Sequence, residues 1–392
     1  MPILNRFAEM LPEITAWRHD FHRHPELQYD VNRTAGRVAE LLESFGVDEV
    51  ATGIGRTGVV GVIRGRASGS GRVIGLRADM DALPIKETTG KPYASTVPGK
   101  MHACGHDGHS AMLLGAARYL AETRNFDGTV VVIFQPAEEG GAGGRAMVRD
   151  GLMDRFGIQE VYGLHNLPGV PVGAFGARPG ACMASADGIR IVVEGVGGHA
   201  AWPHKGVDPI LVGSAIVTAI QSVAARSVDP LQSAVVSVTQ FHAGDTDNVI
   251  PPRAELSGTV RTLDPGVRDL VEGRLRDLVT ATAAAYGATA KFTYRRGYPV
   301  VVNDPSATEF ATAVATDVAG ADNVDGDATP MMGAEDFAFM LEARPGAFLF
   351  VGNGDSAGLH HPAYDFNDEV IPYGCSYWVR LAETAMPIRQ AA

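Results

Sequence analysis

Side chains able to bind a metal ion are concentrated in a few glycine-flanked segments of this 392-residue chain. The segment MHACGHDGH places Cys104, His106, Asp107 and His109 within six positions. Seven of the twelve histidines lie in such loops, namely His102, His106, His109, His165, His199, His360 and His361. A mixture of thiolate, imidazole and carboxylate is what a divalent metal of intermediate softness selects. Cys104 and His106, one residue apart beside a glycine, therefore favour metal binding over a buried structural thiol.

Two adjacent carboxylates, Glu138 and Glu139, follow an apolar run and precede a glycine-rich turn. Side chains on neighbouring positions of such a turn point in different directions, so one carboxylate can bind metal while the other moves a proton. An ordinary solvated pair is the alternative. The cysteine and histidine clusters elsewhere in the chain favour the catalytic interpretation.

Short apolar runs precede most of these polar groups. The runs with strand character are residues 59–63, 73–76, 129–134, 161–164 and 348–351. Arg77 and Asp79 follow the second run, the glutamate pair follows the third, and His165 follows the fourth. Continuous apolar strands are typical of a parallel sheet buried on both faces, and ligands bind beyond the carboxyl ends of such strands. The sequence thus predicts an α/β fold, with a mostly parallel-sheet catalytic domain that has helices on both faces.

The middle of the chain has a different order of elements. From residue 187 to residue 295 the pattern is strand, helix, strand, strand, helix, strand, which is the order of a ferredoxin-like unit. A helix opened by Asp304 and Pro305 then restores the outer pattern. We predict a catalytic metal-binding domain of residues 1–184 and 296–392. Residues 185–295 would form an inserted ferredoxin-like domain that serves as lid and dimerisation surface.

Composition and charge exclude several classes of protein. The chain is 45% hydrophobic and 20% charged, which is too apolar for a disordered protein. Its 33 Lys and Arg against 45 Asp and Glu give a net charge of −12, so no nucleic acid partner is expected. Glu9 and Glu13 interrupt the start where a signal peptide would be apolar, and the run at residues 210–220 is short for a bilayer span. We expect a cytoplasmic protein without a membrane partner.

Other histidines and cysteines are assigned structural roles. Three cysteines cannot form a disulfide framework in a chain of this length. Cys182 and Cys375 lack ligand-type neighbours and are expected to be small core or hinge residues. The histidines of the first helix are interpreted as a solvated or capping face, and they are His19, His22 and His24.

Two loose motifs suggest other enzymes, but their surroundings argue against both. GDSAG at residues 354–358 fits the nucleophile turn of a serine esterase, yet that fold needs a later histidine and none follows His361. GAGGRA at residues 141–146 fits a dinucleotide-binding turn, yet Glu138 and Glu139 would then face the pyrophosphate. A tight turn that brings the glutamates to a metal explains the glycines better.

Ten segments, in order and spacing, resemble the metal-dependent amidohydrolases of the aminoacylase and carboxypeptidase superfamily. The likeness is to the hippurate hydrolase, N-acyl-amino-acid and auxin-conjugate hydrolase subgroup, and it covers nearly the whole chain. The segments are RHDFHRHPEL, GLRADMDALP, MHACGHDGH, QPAEEGGAGGRAM, GLHNLPG, GGHAAWPH, DNVIPP, GTVRT, GAEDF and LHHPAYDFND.

The resemblance implies a role for each matching residue. It implies a two-metal centre, with Cys104 as the bridge, whose ligands are Cys104, His106, Glu139, His165 and His360. Glu138 resembles the family's general base. His199, Asn248 and Arg261 on the inserted domain resemble residues that contact the substrate's oxyanion and carboxylate. The implied reaction is hydrolysis of the amide bond of N-acyl amino acids, by a homodimer or a tetramer formed through the inserted domain.

Several alternatives stay open at this point. The ligand set suits Zn²⁺, Mn²⁺ or Co²⁺. A dipeptidase or an N-acetyl-diaminopimelate-type deacetylase would use the same site, and a catalytically silent small-molecule binding protein is the non-enzyme alternative. Dipeptidase branches have His-x-Asp where this chain has Arg77, Ala78 and Asp79. This difference favours the acyl-amino-acid branch over a dipeptidase, and it leaves Asp79 as a residue beside the ligands or near the substrate.

Overall fold

The computed structural model describes residues 5–388, which form two compact units. The first contains the described residues up to Gly180, residues Val302–Thr329 and those from Asp336 onward. The second contains Ala181–Val301 and Pro330–Glu335. The predicted insertion, residues 185–295, lies within the second unit, but six residues of the GAEDF region also belong to that unit. Sequence order alone gave no sign of this return of the chain.

Helices and strands alternate over most of the chain. The α-helices are α1 (Asn5–Arg23), α2 (Asn32–Ser44), α3 (His106–Thr123), α4 (Glu138–Gly141), α5 (Gly143–Arg149), α6 (Leu152–Arg155), α7 (Pro209–Ser222), α8 (Pro265–Ala285), α9 (Pro305–Ala319), α10 (Ala338–Ala343) and α11 (Ile371–Ala385). The strands are β1 (Glu49–Ile54), β2 (Gly58–Arg64), β3 (Val73–Asp79), β4 (Thr129–Gln135), β5 (Glu160–Leu167), β6 (Phe175–Gly176), β7 (Gly180–Met183), β8 (Ala186–Glu194), β9 (Gly198–His199), β10 (Ala234–His242), β11 (Val249–Ile250), β12 (Arg253–Thr262), β13 (Thr289–Tyr298), β14 (Val301–Asn303), β15 (Val324–Asp325) and β16 (Gly346–Gly352).

An eight-stranded sheet organises the first unit, in the order β1-β2-β4-β3-β5-β16-β6-β15. The pairs β4/β3, β3/β5, β5/β16 and β6/β15 are parallel, whereas β1/β2, β2/β4 and β16/β6 are antiparallel. The predicted mostly parallel sheet is confirmed for its centre. Asp79 and Gln135 face each other at the ends of β3 and β4, and His165 lies near the end of β5. The carboxyl edge of the central strands therefore carries polar groups.

Helix α3 runs through the core of the first unit. It is buried continuously from His106 to Ala117, which explains why residues 111–117 are apolar on all sides. Helices α1, α11 and α2 pack against it. Cys375 lies in this core, and Cys182 is buried as well, as predicted for both. A rigid, buried helix is a suitable support for the polar residues of its first turn.

The second unit contains a four-stranded antiparallel sheet, in the order β10-β12-β8-β13. With α7 and α8 its elements follow the predicted βαββαβ order. Both helices begin with Asp-Pro: the Asp208 carboxylate accepts a hydrogen bond from Ile210 N and the Asp264 carboxylate from Val267 N. Proline fits the first helical turn, where no backbone donor is needed.

Two expectations about helices need correction. His22 is fully buried rather than solvated. Its burial is possible because Nδ1 of its ring hydrogen-bonds the Asp107 carboxylate at 2.8 Å. The apolar run at residues 210–220 belongs to a 19-residue helical segment, Pro209–Ser227, which is long and apolar enough to cross a membrane. One such helix is by itself weak evidence for a membrane span.

Candidate metal centre

The loop before α3 presents Cys104 and His106 at the carboxyl edge of the sheet. Gly105, between them, has a φ of 90°. A Cβ at this position would overlap the side chains of Asn166 and Tyr364, so only glycine fits. Cys104 and His106 are buried, and they are held by a backbone that no larger residue at position 105 could adopt.

The turn after β4 presents Glu138 and Glu139. Ala137 and Gly140 have left-handed backbone angles, with φ of 56° and 84°. The Asp81 carboxylate accepts hydrogen bonds from the backbone N–H of Glu138 at 2.8 Å and of Glu139 at 3.1 Å. One buried carboxylate thus fixes the backbone of both glutamates.

Six side chains converge within the first unit. Their potential ligand atoms form three overlapping groups, each with atoms within 4.8 Å of one another. The groups are Cys104, His106 and His165; Cys104, Glu139 and His360; and His106, Glu138 and Glu139. Cys104 Sγ lies 3.5 Å from His165 Nε2, and His360 Nε2 lies 3.2 Å from Glu139 Oε1. Cys104, His106 and Glu139 each belong to two of these groups, so the three groups form one continuous cluster.

The hydrogen bonds of two histidines fit a metal. His106 Nδ1 donates to the backbone carbonyl of Asp81 at 2.7 Å, and its Nε2 is buried without a hydrogen-bond partner. His165 Nδ1 donates to the carbonyl of Asn166 at 2.7 Å. Donation from one ring nitrogen fixes the tautomer that leaves the other nitrogen able to bind metal. With a thiol and carboxylates alongside, this donor set matches Zn²⁺, Mn²⁺ or Co²⁺.

His360 comes from the loop after β16 and is the most exposed member of the group. Its φ is 63°, and its backbone N–H donates to Ala103 O at 2.7 Å, which ties the loop to the cysteine segment. Hydrogen bonds with Cys104 and Glu139 raise the pKa of His360 to about 10. Burial raises the pKa of the Cys104 thiol. Binding of a metal ion would displace protons from both groups.

Asp79 lies next to these side chains but is engaged elsewhere. It pairs with the buried Arg77 at 2.8 Å and accepts a hydrogen bond from His109 Nδ1 at 2.7 Å. Arg77 also contacts Gln135 at 3.0 Å and Asp336 at 3.3 Å. Asp79 therefore belongs to a buried polar network beneath the converging side chains.

Sequence reasoning missed three residues of this region. Asp81 and Asp336 were within the quoted segments GLRADMDALP and GAEDF, and Asn166 directly follows His165. Asp336 accepts hydrogen bonds from Gln135 Nε2 at 2.6 Å and from Gly144 N at 2.8 Å. Their adjacency to residues already singled out was the available signal, but their backbone partners became visible only in the fold.

The three predicted substrate residues lie in the second unit. His199 on β9 faces Val249 on β11, and Ala200 N donates to Asn248 O at 3.0 Å, so His199 and Asn248 are close neighbours. His199 is exposed and its ring centroid lies 4.8 Å from that of Trp202. Arg261 lies on β12 in the four-stranded sheet, where its guanidinium donates to Val260 O at 3.1 Å. Partial burial lowers the pKa of Arg261.

Comparison with known proteins gives one consistent family. The model of Peptidase family M20/M25/M40 matches residues 75–384. Hippurate hydrolase of Campylobacter jejuni is 42% identical over 382 residues, which are 97% of this chain and 99% of that protein. N-acetylcysteine deacetylase of Bacillus subtilis is 40% identical over 366 residues, or 93% and 94% of the two chains. The crystal structure of the Bacillus subtilis YXEP protein, described as a dinuclear metal binding peptidase from the M20 family, has a TM-score of 0.85, 36% identity and coverage of 97% and 99%.

Proposed function

Because the chain belongs to peptidase family M20/M25/M40, and so is an amidohydrolase, we propose that it hydrolyses N-acyl amino acids with two divalent metal ions. The products would be a carboxylic acid and a free amino acid. Relatives named for hippurate and for N-acetylcysteine support an acyl-amino-acid substrate, as does the IAA-amino acid hydrolase ILR1-like 5 of Arabidopsis thaliana, at 37% identity over 93% of this chain and 85% of that one.

The observation that carries the proposal is the convergence of six side chains whose potential ligand atoms form three overlapping groups. The proposed ligands are Cys104, His106, Glu139, His165 and His360. Bound divalent ions supply Lewis acidity, which activates water and polarises a carbonyl. All five residues lie in the first unit, on segments that hydrogen bonds hold in place.

Glu138 is proposed as the general base and then as the general acid. Its carboxyl group would take a proton from the attacking water and return it to the departing amine, which is otherwise a poor leaving group. Glu138 is almost fully buried, so little bulk water competes for its proton. Its backbone N–H donates to the Asp81 carboxylate, which fixes the backbone from which the side chain extends.

Substrate recognition is proposed for three residues of the second unit. His199 would donate to the oxyanion, and Arg261 offers a planar pair of donors that suits a carboxylate. Asn248 neighbours His199 across the β9/β11 pair. The acidic character of the chain as a whole does not oppose this, because an anionic substrate needs only local positive charge.

A substrate panel combined with metal analysis tests the proposal. Purified protein is assayed against N-acetyl amino acids, N-benzoyl amino acids and dipeptides, before and after treatment with a chelator. We expect turnover of N-acyl amino acids, about two metal ions per chain, loss of turnover with the chelator and recovery on addition of Zn²⁺, Mn²⁺ or Co²⁺.

Each contrary outcome has a distinct meaning. Turnover that survives metal removal would rule out the proposed chemistry. Binding of two metal ions without hydrolysis of any substrate would favour the silent binding protein. Faster cleavage of dipeptides than of acyl amino acids would favour the dipeptidase.

A further inference from the structure

His109 is a buried histidine with both ring nitrogens engaged. Its Nδ1 lies 2.7 Å from Asp79 Oδ1, and its Nε2 lies 3.0 Å from the backbone nitrogen of Asn166. The backbone N–H of Asn166 can only donate, so Nε2 of His109 must accept and carries no hydrogen. The ring proton is therefore on Nδ1, where it is donated to Asp79.

This arrangement excludes His109 as a metal ligand. Asp79, His106 and His109 have potential ligand atoms within 4.8 Å of one another, and by distance alone they could hold an ion. The single lone pair of the neutral ring is already used by Asn166. His109 must have another role, and its two partners indicate which.

Asn166 connects His109 with two of the proposed ligands. Its carbonyl accepts from His165 Nδ1 at 2.7 Å, and its side-chain Nδ2 donates to the backbone carbonyl of Cys104 at 2.6 Å. The Oδ1 of Asn166 accepts from Tyr364 at 2.7 Å. Asn166 is fully buried, so its orientation is set by these partners and by His109.

Asp79 anchors the opposite side of His109. It terminates β3 and is fixed by Arg77 at 2.8 Å. The hydrogen bonds thus run from the sheet through Asp79 and His109 to Asn166, and from there to the cysteine loop and to His165. A small movement of Asn166 would shift the backbone of Cys104 and the ring of His165 together.

We propose that His109 is a positioning residue that joins Asp79 to Asn166 and so holds Cys104 and His165 in place for metal binding. The inference rests on the proposed function, since it takes Cys104 and His165 as ligands. Groups that orient metal ligands typically change metal affinity by about 10- to 100-fold when they are removed. His109 supplies this support without touching the ion.

Three substitutions of His109 distinguish its hydrogen bond to Asp79 from its hydrogen bond to Asn166. His109→Ala removes both hydrogen bonds. His109→Asn places an amide nitrogen near Nδ1, which keeps the donor to Asp79 but cannot reach Asn166. His109→Gln places an amide oxygen near Nε2, which keeps an acceptor for the Asn166 N–H.

The readout is the dissociation constant for Zn²⁺, measured by competition with a chromophoric chelator on the metal-free full-length protein. We expect a fall in affinity of about 10- to 100-fold for His109→Ala and His109→Asn. His109→Gln should retain affinity within about fivefold of the unsubstituted protein, because the bond to Asn166 is the one that orients the ligands. Affinities of the Ala and Asn variants within about threefold of the unsubstituted protein would overturn the proposal. A Gln variant as weak as the Asn variant would also overturn it.

Ser110→Ala is the matched control. Ser110 is the next residue of α3, equally buried, and its hydroxyl donates to the backbone carbonyl of Asp79 at 2.7 Å. Loss of this bond should lower the melting temperature of the metal-free protein and leave Zn²⁺ affinity within about threefold. If Ser110→Ala weakens Zn²⁺ binding as much as His109→Ala does, the effect is general destabilisation and the proposal is wrong.

A milder variant keeps the proposal testable if the His109 variants do not fold. Tyr364→Phe removes only the hydroxyl that holds Asn166 Oδ1, and we expect Zn²⁺ affinity to fall about three- to tenfold. An unchanged Zn²⁺ affinity of Tyr364→Phe would contradict the proposal that the orientation of Asn166 holds the ligands in place. Zn²⁺ affinity requires no substrate, so this test is separate from that of the proposed function. A protein that binds two ions but hydrolyses nothing would refute the activity and leave the role of His109 intact.

Discussion

Glu138 and Glu139 are neighbours in sequence with different surroundings. The carboxylate of Glu139 lies 3.2 Å from His360 Nε2, and Cys104 Sγ lies within 4.8 Å of the ligand atoms of both residues. Burial alone would raise the pKa of Glu139. The hydrogen bond with His360 and the charge of His106 outweigh burial, so the pKa of Glu139 lies below its usual value. An ionised Glu139 suits a metal ligand, which leaves Glu138 for proton transfer.

Glu138→Gln tests this division of roles. Glutamine has the same shape but cannot accept the water proton, so we expect kcat to fall at least about a hundredfold with two metal ions still bound. Steady-state kinetics and metal analysis of the same preparation give both values. Glu139→Gln is the paired control, and it should lose metal as well as activity. A Glu138→Gln enzyme with near-normal kcat would refute the assignment.

His22 links α1 to the residue that follows His106. Burial lowers the pKa of His22, but Asp107 and Glu87 outweigh burial and the charge of Arg18 and raise this pKa to about 9. The uncharged ring of His102 also lies nearby, 6.2 Å from His22 between ring centroids. Because the folded pKa exceeds the unfolded value of about 6.5, the stabilisation is complete below that pH and is lost as the pH rises through about 9.

His22→Gln should therefore cost most stability at low pH. We expect the difference in unfolding free energy between the two proteins to be on the order of 3 kcal/mol at pH 6, to shrink as the pH rises from about 6.5 to 9, and to be nearly gone above pH 9. Denaturant titrations of both proteins across this range, at saturating metal, measure the difference. A gap that is constant with pH would show that His22 is uncharged in the folded protein.

At the scale of elements, apolar periodicity located most of the secondary structure. The predicted strand 129–134 corresponds to Thr129–Gln135, and the predicted strand 348–351 lies within Gly346–Gly352. Continuous burial determines such strands locally, and Asp-Pro starts determine helices α7, α8 and α9. The family resemblance is confirmed, as are the α/β fold and its mostly parallel sheet.

Long-range partners could not be predicted in the same way. Asp81 holds the backbone of Glu138 from 57 positions away, and His22 meets Asp107 across 85 positions. The residues that neighbour a histidine in sequence are the same whether its ring is solvated or paired in the interior. The prediction that His22 lies on a solvated or capping face was therefore wrong. The roles of the ligands, of Glu138 and of the second-unit residues stay predictions.

Gly143 tests the turn that carries the two glutamates. A Cβ at this position would overlap the carbonyl group of Pro136, which is backbone and cannot move aside. We expect Gly143→Ala to destabilise the protein by about 1–3 kcal/mol and to weaken metal binding, because the turn between β4 and α5 must shift. Thermal unfolding and Zn²⁺ titration measure the two effects.

Gly36 provides the matched control for this substitution. It lies inside α2, and a Cβ there would meet nothing within 4 Å. Gly36→Ala should raise stability by about 0.5–1 kcal/mol through helix propensity and leave metal affinity unchanged. If Gly143→Ala binds Zn²⁺ as tightly as Gly36→Ala does, the turn does not set the geometry of the glutamates.

At the scale of the whole molecule, the second unit exposes an apolar surface. Leu211 on α7 is 56% exposed and Ile210 is 40% exposed. Strand β10 lies at the edge of its sheet, with Val235 and Phe241 also exposed. Exposed apolar side chains beside an unpaired strand edge are a usual feature of a protein interface. This surface supports the proposal that the chain forms a homodimer, or a tetramer, through this unit.

Leu211→Glu is the test of that association. A charge at the centre of an apolar contact would remain unpaired on burial, so we expect the variant to sediment as a monomer at concentrations where the unsubstituted protein is a dimer or tetramer. Leu270→Glu on α8 is the control, because Leu270 is also exposed, at 41%, but lies on the other helix of the unit. The control should keep the unsubstituted sedimentation coefficient, and a circular dichroism spectrum should show both variants folded. An unsubstituted protein that is monomeric, or a Leu211→Glu variant that associates like Leu270→Glu, would place the contact elsewhere or exclude it.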